Sequence, residues 1–118
     1  MDLLGILLQE SDLSEKQLES LLSYLKVVSG ELRYKDAAAQ RSSRSVTIGS
    51  YYRTVQQARN NVRRSIVTLA IAMRIGLVKF EDARRLLDLV VQGPGELDES
   101  QSDQFREVIR VLLGRVVM

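Results

Sequence analysis

Apolar residues along this chain recur mainly at helical spacing. Residues 2–10 are apolar on nearly every side (Leu3, Leu4, Ile6, Leu7, Leu8), which predicts a short helix needing cover from several directions. Leu13-Ser14-Glu15-Lys16-Gln17-Leu18 is a full start signal. Ser14 and Gln17 form a capping box, and Leu13 and Leu18 take the hydrophobic-staple positions. Leu18, Leu21, Leu22, Leu25 and Val28 continue one face, and Gly30 stands where a C′ glycine would, so a helix is expected over 15–29.

Residues 33–41 form a shorter segment with Tyr34, Ala37 and Ala38 as its inner face, and the polar run 41–45 predicts a turn. Beyond it, Tyr51, Val55, Ala58, Val62, Ile66, Leu69 and Met73 recur at steps of three and four, predicting a long helix from about 49 to 75 with Thr47 or Ser50 as its cap. Its first half is polar outside that seam and its second half richly apolar, so the first half is expected exposed and the second buried. Arg74 is expected to belong to the scaffold. Phe80, Ala83, Leu86, Leu87 and Val90 define a further helix, closed by Gly93-Pro94-Gly95. Residues 95–102 suggest an acidic linker. Phe105, Val108, Ile109, Leu112, Leu113 and Val116 define the last helix. The expected fold is all-α, with five to six helices in one domain, ending in a helical hairpin. Residues 33–64 would be the binding segment, and 1–29 with 65–118 the core and dimerisation helices.

Charge changes this picture. The net +2 conceals three blocks: 1–32 with two basic and six acidic residues, 33–74 with nine and one, and 75–118 with six and eight. The central block is thus +8 between flanks of −4 and −2, the footprint of a protein with a polyanionic partner. Arginine outnumbers lysine 13 to 4, which suits contact with phosphates and base edges and is also common in chains from GC-rich or thermophilic genomes. There is no cysteine and no histidine, which excludes disulfides, thiolate chemistry, a histidine base and any Cys/His zinc site. No phosphate loop, nucleophile elbow or paired-carboxylate motif is present. An enzyme is not expected, nor is a cofactor or metal. The N-terminal segment lacks a basic region and a cleavage site, and no apolar run approaches a membrane span, so the expected location is cytoplasmic and nucleoid-associated.

The pattern over 33–59 resembles the helix-turn-helix of prokaryotic and archaeal DNA-binding proteins, winged-helix relatives included. Ala37 or Ala38 stands where that family places a small residue at the helix crossing. Val46-Thr47 matches the apolar residue and cap that end the turn, and Tyr51 and Val55 match the inner side of the second helix. The turn is about three residues longer than the family's and carries Ser and Arg in place of Gly. The resemblance covers about 30 of 118 residues. It implies duplex DNA as partner and a homodimer that reads two half-sites. The base-reading residues would then be Ser50, Tyr52, Arg53, Gln56 and Gln57, with Arg53 suited to guanine and Gln56 or Gln57 to adenine. Lys35, Arg41, Arg44, Thr47, Arg59, Arg63 and Arg64 would touch phosphates. Arg63 and Arg64 have a competing assignment as partners of Glu19, Asp82 or Asp88 within the fold. Two other functions stay open: a helical subunit docking apolar faces in a larger assembly, and RNA binding, which the scarcity of aromatics disfavours.

Overall fold

A computed structural model describes residues 2–40 and 47–118. Arg41, Arg44 and Val46, which the sequence places at the turn, lie outside the described residues. The chain is all-α. Its helices, in order, are α1 (Leu3–Gln9), α2 (Glu15–Val28), α3 (Tyr34–Ala39), α4 (Ile48–Arg74), α5 (Phe80–Val91) and α6 (Glu99–Val116). They gather into two compact units, Asp12–Arg64 in one and Met1–Ser11 with Ser65–Met118 in the other. The boundary falls inside α4, between Arg64 and Ser65, where the helix changes from arginine- and amide-rich to apolar.

In the unit formed by residues 12–64, the Ser14 hydroxyl accepts from the Gln17 N–H at 3.1 Å and the Gln17 side chain returns the bond to the Ser14 N–H at 3.0 Å, so the capping box starts α2 as its spacing predicts. Gly30 ends the helix with φ +86°, a left-handed conformation that costs glycine little. There the Glu31 N–H reaches back to the Lys26 carbonyl at 2.8 Å. α2 belongs to the same unit as the basic segment, where Tyr24 and Val27 pack against the cluster formed with α3 and α4. The six-residue α3 has no side-chain cap. Isolated helices of that length do not persist, and its stability comes from packing. Ala37 and Ala38 are buried against Tyr51 and Val55 of α4, with Tyr24, Val27, Leu32 and Tyr34 closing the cluster.

The other unit holds two small clusters. Leu3 and Ile6 of α1 pack with Leu97 and against Phe105 of α6, which covers one side of the greasy N-terminal helix. Val78, Ala83 and Val116 form the second, against Leu69, Ala72, Met73 and Leu86. The expected linker over 95–102 ends sooner than its composition suggests. Asp98 and Gln101 make a second capping box, which starts α6 at Glu99. The apolar C-terminus is tied down, with Val117 bridged to Val78 and the Met118 N–H donating to the Leu77 carbonyl at 3.0 Å.

Burial along α4 runs opposite to the expectation. In its first half Tyr51, Val55 and Ala58 are fully buried. In its second half Ile66 is 63%, Val67 58%, Ile71 57% and Ile75 71% exposed, and Arg74 is exposed too. Leu69, Ala72 and Met73 pack there against the cluster of Val78, Ala83 and Val116. An apolar sequence secures burial only where another element covers it, and α5 and α6 cover one side of this half.

Candidate nucleic-acid interface

The first half of α4 is oriented by what it buries. Tyr51 is the pivot. Its hydroxyl donates to the Ser20 carbonyl at 3.1 Å and shares a 2.6 Å hydrogen bond with Ser23, fastening α4 to α2. Burial raises the Tyr51 hydroxyl above the ordinary tyrosine pKa, and the bond to Ser23 pulls the other way. All four tyrosines of the chain meet here, with Tyr24, Tyr51 and Tyr52 each having its ring centroid 6.2 Å from that of Tyr34. Burial, and then the neighbouring Tyr24, raise the Tyr34 pKa as well. Both hydroxyls therefore stay neutral through the physiological range, and the charge of this surface comes from guanidinium and ammonium groups.

With Tyr51, Val55 and Ala58 facing inward, the helical turn of about 100° per residue fixes the opposite face. Arg53, Gln57, Asn60 and Arg64, at steps of four, three and four, make one outward stripe about 16 Å long. All four are exposed. Gln56, half-buried, flanks this stripe on one side. Tyr52 lies at the edge, with its ring beside Tyr34 and 51% of its surface exposed. Ser50 lies at the other edge, about 160° around the helix from Tyr52, and its backbone is engaged in capping. The expected base-reading set therefore divides into a central group, Arg53, Gln56 and Gln57, and two flanking members that cannot face one groove floor together. Asn60 belongs to the central stripe and was not among the expected residues. Its spacing from Arg53 and Gln57 was the available signal.

The phosphate-contacting candidates on described residues lie on the same unit. Thr47 caps α4, its hydroxyl accepting from the Ser50 N–H at 3.1 Å, and no acid occupies the first turn. Lys35 is exposed on α3. Arg59 lies over the Tyr24 ring, 5.4 Å from its centroid, in a cation–π contact. Arg63 donates to the Asn60 side-chain oxygen at 3.2 Å, and Arg64 is exposed. Ion pairs among the described residues join Arg33 to Asp36, Arg84 to Glu81, Arg106 to Asp103 and Arg110 to Glu10. None of them engages Lys35, Arg53, Arg59, Arg63 or Arg64. These side chains thus give the 12–64 unit a positive surface. Asp36, the one acid in 33–74, is held by Arg33 on the same helix at 3.0 Å.

Among the described residues no helix is long and apolar enough to cross a membrane. No family model, no curated protein and no solved structure matches this chain.

Proposed function

We propose that this protein binds duplex DNA through the outward face of the first half of α4, as a homodimer with a regulatory or chromatin-organising role in the nucleoid. The observation that carries this reading is the exposed stripe of Arg53, Gln57, Asn60 and Arg64, backed by Arg59, Arg63 and Lys35, none of which takes part in an ion pair among the described residues. Guanidinium and amide groups pair with base edges in the major groove, and the flanking cations neutralise phosphates. Arg53 and Gln57 would read bases, Arg59, Arg63, Arg64 and Lys35 would hold the backbone, and the Thr47-capped helix start would offer N–H groups to a phosphate. The packing of Ala37 and Ala38 of α3 against Tyr51 and Val55 of α4 supports reading these two helices as a helix-turn-helix pair.

The second half of α4 supports the dimer. Val67, Ile71 and Ile75, spaced one turn apart and each more than half exposed, make an apolar stripe of the kind that marks an interaction site. A second copy is its fitting occupant, because a two-fold axis sets the same stripe against itself. A stable interface takes about 800 Å² per partner. These three side chains supply roughly two-fifths of that, and the Arg74 stem extends it. The competing function, a subunit docking its apolar faces on another protein, draws on this same stripe and leaves the arginine face unused.

The test compares Arg53→Ala and Arg63→Ala in a fluorescence-anisotropy titration against a duplex library. Both variants should lose affinity. Arg53→Ala alone should relax sequence preference, with a loss of about 1–3 kcal/mol of discrimination at the base it contacts. Unchanged binding by a folded double variant would rule this interface out.

A further inference from the structure

A second feature of the 12–64 unit lies beside the outward stripe. Between α2 and α4 lies an open cleft of about 450 Å³, lined by Leu21, Tyr24 and Leu25 from α2 and Arg59, Val62 and Arg63 from α4. Each helix contributes positions i, i+3 and i+4, so one face of α2 and one of α4 form the two walls. The floor is aliphatic. Leu25 is 60% and Val62 41% exposed, so apolar surface stands open to water beside two cations. The volume lies within the range of small-molecule sites, which are mostly apolar with a few placed polar groups.

The two arginines give the cleft its specificity. Arg59 and Arg63 stand one helical turn apart, a like-charge spacing that is unfavourable by itself. Both are held by neutral groups, Arg59 by the Tyr24 ring at 5.4 Å and Arg63 by the Asn60 side-chain oxygen at 3.2 Å. Neither takes part in an ion pair among the described residues. Two positioned, uncompensated guanidiniums above an aliphatic floor complement a molecule with one carboxylate and an apolar body. The carboxylate would bridge the guanidiniums in charge-assisted hydrogen bonds, and the body would cover Leu21, Leu25 and Val62.

We infer that the α2–α4 cleft is a binding site for a small apolar monocarboxylate. Its occupancy removes Arg59 and Arg63 from the set that contacts phosphate, so the ligand acts as an effector that weakens DNA binding. This regulatory consequence rests on the proposed function; the binding site does not.

Decanoate is the probe, with 1-decanol as its uncharged counterpart, both kept below their aggregation limits. Isothermal titration of the full chain should show saturable binding of decanoate, at least about tenfold weaker for 1-decanol and for Arg59→Gln or Arg63→Gln. Circular dichroism should show both variants as helical as the parent. Leu25→Glu, which places a carboxylate at the rim, should abolish decanoate binding. Equal binding of decanoate and decanol, or no saturable binding, overturns the site. So does a cleft already filled by a second copy, seen as Leu25→Glu lowering the mass of the unliganded protein while the parent takes up no decanoate. In the second arm, saturating decanoate should weaken duplex binding at least about tenfold. Duplex binding unaffected by saturating decanoate overturns the effector role. Decanoate binding in a protein that binds no DNA upholds the site and overturns the proposed function instead.

Discussion

Tyr51→Ala is expected to destabilise the 12–64 unit by about 3–5 kcal/mol, the usual cost of removing a fully buried aromatic side chain. Tyr51 has no exposed surface, its ring packs with Ala37, Ala38 and Val55, and its hydroxyl supplies the hydrogen bonds to Ser20 and Ser23. Small domains are stable by only about 5–15 kcal/mol in total, so the loss takes much of what this unit has. Tyr51→Phe keeps the ring and should cost about 1–2 kcal/mol, since it removes the hydroxyl that links α4 to the Ser20 carbonyl and to Ser23. Tyr52→Ala, whose side chain is half exposed, should cost less than about 1 kcal/mol. Urea unfolding followed by circular dichroism ranks the three. If Tyr52→Ala proved as damaging as Tyr51→Ala, the assignment of inner and outer faces on α4 would be wrong, and the proposed DNA-binding face with it.

The second large effect is expected in the other half of the same helix. Ile71→Asp places a carboxylate at the centre of the exposed stripe, between Val67 and Ile75. An unpaired charge cannot be buried there without a cost of several kcal/mol, so self-association should weaken by about a hundredfold or more. Sedimentation equilibrium should give the parent a mass of twice 13.3 kDa and the variant 13.3 kDa. Position 71 is already exposed in a single chain, so helical content should not fall. A parent that stays at 13.3 kDa at high concentration, or a variant that still dimerises, would remove the dimer from the account. Two half-sites read together strengthen binding through effective concentration, so the monomeric variant should also bind DNA more weakly.

These two halves of α4 show what was legible in the sequence. The seam through Tyr51, Val55 and Ala58 follows from spacing alone. So does the start of α2, because a capping box and a staple are local chemistry written in adjacent residues. Asp98-Glu99-Ser100-Gln101 carried the same box, obscured by the acidic, glycine-bounded composition around it. Which half of α4 is covered was not legible. Burial depends on where α2, α3, α5 and α6 pack, and the greater hydrophobicity of residues 65–75 pointed the wrong way. The aromatic cluster around Tyr34 was hidden for the same reason. Its members lie on α2, α3 and α4, far apart in sequence. The positive surface was visible from the charge blocks. Which face of α4 those charges occupy was not, because it depends on which side Tyr51, Val55 and Ala58 bury.

The central claim, that the uncompensated face of α4 binds DNA, is tested most directly by the salt dependence of binding to a mixed-sequence duplex. Each phosphate contact contributes a slope of about −0.9 in the logarithm of affinity against the logarithm of salt. Lys35, Arg59, Arg63 and Arg64, with Arg41 and Arg44, predict a slope of about −5 per protomer. Affinity should therefore fall more than about a hundredfold between 50 and 200 mM salt. Failure to bind the duplex at low salt, or a slope shallower than about −1, would contradict the claim and leave the apolar stripe as the surface to follow.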